Sequence, residues 1–102
     1  MRTKKIDPRI KEIADFYGTG AQLDILQEEC AELIQAVSKF KRRGNKATEQ
    51  LAEEIADVEL MILQIMYLTG MTYTDVANIK ENKIIRTMNR IEQIKKVYQS
   101  ND

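Results

Sequence analysis

Residues 48–69 read Thr-Glu-Gln-Leu-Ala-Glu-Glu-Ile-Ala-Asp-Val-Glu-Leu-Met-Ile-Leu-Gln-Ile-Met-Tyr-Leu-Thr, and Gly70 follows. Leu51, Ile55, Val58, Ile62 and Ile65 recur in steps of three and four, the spacing of one helix face. Thr48 is placed to cap the start of this helix and Gly70 to stop it. From Val58 to Leu68 the segment is apolar nearly all round, so it needs cover on more than one side. A chain of 102 residues has a modest core of its own. Association with further copies is the expected source of that cover.

Working outward, the upstream segment from about Ala21 to Arg42 carries Leu23, Leu26, Cys30, Leu33, Val37 and Phe40 at helical spacing, and Gly44-Asn45 breaks it. Ahead of it, Asp7-Pro8 opens a short helix as N-cap and first-turn proline. That helix is expected to end at Gly18-Thr19-Gly20. Downstream, Thr72 with Asp75 three residues on has the form of a capping box with Asp in place of Glu. A last helix is expected to reach about Tyr98, with Ile84, Met88, Ile91 and Tyr98 on its stripe. The reading is all-α: an antiparallel helical bundle of three long helices plus a short N-terminal helix, completed by oligomerisation. One domain covers residues 1–102, with flexible ends at about 1–6 and 99–102.

Composition narrows the chemistry. There are 16 basic and 16 acidic residues, so no global charge draws the chain to nucleic acid or an anionic membrane. The lone Cys30 excludes an intrachain disulfide and agrees with a reducing compartment. The apolar stretch from Leu60 to Gly70 is too short to span a bilayer, and no signal-peptide core follows the basic start. A cytoplasmic protein is expected. With no histidine and one cysteine, a Ser-His-Asp triad, a Cys-His dyad and a zinc site of the usual ligands are excluded. A di-iron bundle built on Glu-x-x-His pairs is excluded by the same count. Carboxylates, lysines, arginines, hydroxyls or a bound metal must do any chemistry.

The carboxylates are patterned. Glu29 and Glu32 are three apart on the second helix, and Glu54 and Asp57 are three apart on the third. Residues at that spacing are neighbours on a helix surface, where like charges repel. Both pairs flank the apolar stripe. If the two helices pack antiparallel, four carboxylates can converge in a partly apolar cleft. Two readings follow: solvated helix-face charges, or a site for a hard divalent cation with oxygen ligands.

Glu28-Glu29-x-x-Glu32 followed by Glu54-x-x-Asp57 resembles the signature of MazG-like nucleoside triphosphate pyrophosphohydrolases, of the all-α pyrophosphatase superfamily. The likeness covers about residues 16 to 92. It implies that Glu29, Glu32, Glu54 and Asp57 are both the catalytic carboxylates and the ligands of Mg2+, with Mn2+ as a substitute. Glu28 would be a base behind them. The implied reaction turns a nucleoside triphosphate, a (d)NTP, into monophosphate and pyrophosphate, with water activated by metal and carboxylate attacking the α-phosphorus. House-cleaning or control of the nucleotide pool is the implied role. The implied assembly is a homodimer or homotetramer.

The last helix presents Lys83, Arg86 and Arg90 at i, i+3 and i+7 on one face. The likeness implies phosphate contacts for Lys83 and Arg86, with Arg90 beside them. Lys39, in the cluster Lys39, Lys41, Arg42 and Arg43, is a further candidate for a phosphate. For the base, Gln22 and Phe16 are the candidates, and nothing distinguishes one base or sugar from another. The competing reading is a non-catalytic interaction or nucleic-acid-binding module, with residues 71–90 taken as a helix-turn-helix. Zero net charge and the run of acidic residues from Asp24 to Glu59 argue against it.

Overall fold

The computed structural model describes residues 6–100. Four α-helices follow one another: α1 (Pro8–Tyr17), α2 (Thr19–Arg43), α3 (Thr48–Thr69) and α4 (Tyr73–Ser100). A single 3-10 turn, Gly44–Ala47, joins α2 to α3. Among the described residues there is no strand, and no helix is long and apolar enough to cross a membrane. The expected ends, 1–6 and 99–102, fall mostly outside the described residues, and α4 runs on through Ser100.

Local chemistry sets the boundaries. Asp7 caps α1 by accepting the Arg9 N–H at 2.9 Å, with Pro8 in the first turn. The α1–α2 break is Gly18 alone, and Thr19 and Gly20 are already helical. Thr48 does not cap α3: it is the first helical residue, because the 3-10 turn puts Ala47 at the capping position. Gly70 ends α3 in the left-handed region at φ 75°, where its N–H and that of Met71 take up the last carbonyls. Gly44 ends α2 at φ 60° and ψ −136°, a backbone region that side chains with a Cβ rarely adopt. The Thr72–Asp75 box closes reciprocally. The Asp75 N–H donates to Thr72 Oγ1 at 3.0 Å, and the Thr72 N–H donates to Asp75 Oδ2 at 3.3 Å.

The chain divides into two compact units. The first, Lys4–Met71, holds α1, α2 and α3. There α2 and α3 form an antiparallel hairpin, and α1 packs against both. The fully buried Ala14 fits α1 closely to its neighbours, and the Tyr67 hydroxyl donates to the Asp15 carboxylate at 2.9 Å. The second unit, Thr72–Asp102, consists of α4, a helix with no buried residue. Its stripe residues Ile84, Met88 and Ile91 are 56%, 53% and 38% exposed. The architecture is thus all-helical with three long helices and a short leading one, two of the long ones sharing a unit.

The seam between α2 and α3 does not follow the greasiest stripe. On α2 the buried residues are Gln22 and Ala36, while Leu23 and Val37 stay open. On α3 they are Val58, Met61, Gln64 and Ile65, while Ile55 and Ile62 stay open. Periodicity shows that a helix has an apolar face, but which edge is covered depends on the neighbour. Here the covered edge of α2 is turned by about one residue, and that rotation brings Glu29 into the seam.

Candidate metal centre

The α2–α3 hairpin supplies the acidic residues from both sides. Glu29 and Glu32 come from the middle of α2, and Glu54 and Asp57 from the first half of α3. One carboxylate oxygen each from Glu29, Glu54 and Asp57 lies within 4.8 Å of the others. Glu29 and Glu54 are half-buried, Asp57 and Glu32 exposed. The Oε2 atoms of Glu29 and Glu54 are shut off from solvent, and neither has a hydrogen-bond partner.

This arrangement is unfavourable for charge. Burial, followed by the charges of Glu32, Asp57 and Glu54, pushes the Glu29 carboxyl above its ordinary value. Burial, followed by Glu32 and Asp57, does the same to Glu54. Hydrogen bonding of a protonated Glu29 to Asp57, and of a protonated Glu54 to Glu32, favours the neutral form further. Glu32 thus belongs to the cluster electrically. Among the described residues the ion pairs are Arg9–Asp7 at 2.7 Å and Lys95–Glu92 at 3.9 Å, and neither touches these four. Buried acceptor oxygens with no donor, crowded by like charge, fit a hard divalent cation with oxygen ligands. The donor set of carboxylates alone suits magnesium or manganese and not a soft metal.

The other residues singled out in the sequence are spread more widely. Glu28 is exposed on α2 beside Glu29. Lys83, Arg86 and Arg90 are exposed on α4, in the second unit. Lys39 is half-buried and lines a cavity of about 520 Å³ with Arg42, Arg43, Lys46, Ala47 and Gln50. Lys46 and Gln50 went unnoticed in the sequence. The signal for them is the basic run on both sides of Gly44-Asn45, which a tight turn folds back on itself. Gln22 is buried, and its Nε2 donates to Gln64 Oε1 at 2.6 Å. Phe16 is 80% exposed and meets Tyr17 edge to face, with ring centroids 4.9 Å apart.

Comparison with known proteins adds one finding to this geometry. A family model described as the MazG nucleotide pyrophosphohydrolase domain matches residues 19–91, from the start of α2 into α4. No curated protein and no solved structure matches the chain.

Proposed function

The chain belongs to the MazG nucleotide pyrophosphohydrolase domain family, and on that premise we propose that it hydrolyses nucleoside triphosphates to monophosphate and pyrophosphate in a magnesium-dependent reaction. The observation that carries this reading is the pair of buried, partnerless oxygens on Glu29 and Glu54, in a cluster with Asp57 that also feels the charge of Glu32. Glu29, Glu32, Glu54 and Asp57 would hold the cation. When bound, magnesium supplies charge neutralisation on the phosphates and a lowered pKa for the attacking water, and manganese can replace it. Water adds to the α-phosphorus, the α–β bridging bond breaks, and pyrophosphate leaves. Glu28, exposed beside Glu29, is the candidate for a base behind the metal ligands. Of the two candidates for the base, Phe16 is exposed and is the one we propose, since the Gln22 amide is buried against Gln64, and the working compartment we propose is the cytoplasm. The role that fits is house-cleaning or control of the nucleotide pool.

The test of the reaction is a panel of nucleoside and deoxynucleoside triphosphates incubated with Mg2+, with products resolved by 31P NMR. The expected products are monophosphate and pyrophosphate in equal amounts. Nucleoside diphosphate with orthophosphate as first products would contradict attack at the α-phosphorus.

Lys83 and Arg86, with Arg90 beside them and Lys39 from α2, are proposed to grip the phosphates. Cationic donors at fixed spacing on one helix face suit a polyanion. Replacing Lys83 or Arg86 by Ala should weaken substrate binding by about 1–3 kcal/mol, the range for charged hydrogen bonds. The helix should persist, since Ala is a good helix former. Unchanged KM in both variants would return this stripe to a solvated surface.

We also propose that the protein works as a homodimer or homotetramer. The support is apolar side chains left uncovered on α3, with Leu60, Ile62 and Leu63 being 48%, 42% and 44% exposed, together with the open stripe of α4. Light scattering at micromolar concentration should give a multiple of the 11.8 kDa chain mass. A species of one chain mass would refute the assembly.

A further inference from the structure

Two buried polar side chains stand apart from the carboxylates. Gln22 and Gln64 are 5% and 6% exposed, and they are the buried polar residues among those described. An amide costs free energy to bury unless it is bonded, so its presence in a small core needs a reason. The two bond each other: Gln22 Nε2 donates to Gln64 Oε1 at 2.6 Å. Gln64 Nε2 is held more loosely, 3.4 Å from the Leu60 carbonyl and 3.6 Å from Met61 Sδ.

Their place in the hairpin is informative. Seven residues from Gln22 toward the turn lies Glu29, and seven residues from Gln64 toward the turn lies Asp57. Three more on each helix reach Glu32 and Glu54. Seven residues is close to two helical turns, so Glu29 and Asp57 fall in line with Gln22 and Gln64, and Glu32 and Glu54 sit beside them at the i, i+3 neighbour position. Gln22 with Gln64, Glu29 with Asp57, and Glu32 with Glu54 therefore share a single register. The rest of the seam, Ala36, Val58, Met61 and Ile65, is apolar and without direction. Apolar contacts alone discriminate weakly against a slip of one turn, about 5.4 Å, which leaves the short turn and any polar pair to set the register. Ionised carboxylates facing each other without a cation favour such a slip. A slip would put Leu60 or Leu68 opposite Gln22 and leave both amides unpaired. A single polar pair in an apolar helix seam is a known means of specifying register.

We propose that the Gln22–Gln64 amide pair is the register clamp of the α2–α3 hairpin, holding Glu29 and Glu32 opposite Asp57 and Glu54. The two glutamines are positioning residues: they touch neither cation nor substrate and act through the carboxylates they align. The consequence for metal binding rests on the magnesium reading above, while the register itself does not.

The test is the double variant Gln22→Leu/Gln64→Leu, which removes both polar groups and leaves neither orphaned. Replacing both partners of a buried hydrogen bond with apolar groups is close to neutral for stability. The metal-free double variant should therefore melt at or above the wild-type temperature. Its affinity for Mn2+, measured by calorimetry, should nevertheless fall at least tenfold. NOEs between the side-chain protons of Glu29 and Asp57, present in the wild type, should be lost. A merely structural role would leave affinity unchanged at unchanged stability. Wild-type Mn2+ affinity with intact NOEs in the double variant would overturn the proposal. If the wild type itself takes up no Mn2+, the metal reading fails, and the NOEs alone decide the register. Should the leucine pair fail to fold, Gln22→Met with Gln64→Met carries the same readouts.

Discussion

Glu32→Gln and Asp57→Asn should each remove most of the catalytic rate while leaving the metal-free protein as stable as the wild type or more so. The two effects run in opposite directions for one reason. In the folded hairpin Glu29, Glu54 and Asp57 bring oxygens within 4.8 Å of one another, and Glu32 adds its charge to Glu29 and Glu54. Deleting one negative charge relieves repulsion, and the amide keeps the shape of the side chain. Glu32 and Asp57 are the exposed members, so the substitution strands no buried group. The same deletion removes an anionic oxygen from the proposed cation site. Disturbing even the groups behind a metal ligand costs about 10–100-fold, so losing a ligand should cost at least on the order of a hundredfold in kcat. Magnesium should raise the wild-type Tm by mass action, and the Tm of each variant less. If these carboxylates were solvated helix-face charges, turnover and the magnesium shift would both stay near wild type in both variants, and that result would sink the assignment.

Stripping the metal with EDTA should stop turnover and reveal a stability that declines as pH rises. The sign follows from Glu29 and Glu54. Burial, followed by the neighbouring carboxylates, raises both above the ordinary glutamate value of 4.5. Between the unfolded and folded values the native state binds more protons than the unfolded chain, so raising the pH costs stability. The contribution is fully present below the unfolded value and is lost as pH rises through the folded one. Asp7 acts in the opposite sense. Its hydrogen bonds from the Arg9 side chain and backbone hold it down to about 2, so its contribution is lost only as pH falls toward that value. Melting curves in EDTA from pH 4.5 upward should therefore show a falling Tm. With Mg2+ the trend should reverse, because the cation takes the ionised carboxylates and its binding releases protons. A pH profile identical with and without Mg2+ would count against a cation site.

Much of this was legible in the sequence, and for identifiable reasons. Asp7-Pro8, Thr72 with Asp75, and Gly70 carry their structural meaning locally, and each does what its chemistry dictates. The two carboxylate pairs were legible because like charges three apart on two helices are a pattern that stability alone disfavours. What the sequence does not carry is the choice of covered edge. Leu23 and Val37 are more apolar than Gln22 and Ala36, yet the latter pair is buried, since the rotation of α2 is set by what α3 and α1 present to it. Thr48 illustrates a smaller failure. It has the right side chain for a cap, but the turn from Gly44 starts the helical backbone one residue too early for it to serve. The cavity beside Lys39 depends on that same turn, which places Lys46 and Gln50 near Arg42 and Arg43.

The joining of α2 to α3 by one 3-10 turn has a kinetic meaning. All four carboxylates and both clamp residues lie between positions 22 and 64 of one uninterrupted hairpin, so forming the cluster needs no distant segment to return. Once the turn has formed, these pairs can close one after another as the hairpin zips, with no further large loop to order. The cluster is therefore expected to assemble before α1 docks, with its repulsion already felt on the way to the native state. A cation present during refolding would then act mainly by speeding the forward rate, with little change in the reverse one, and Ala36 and Val58 should show high φ-values.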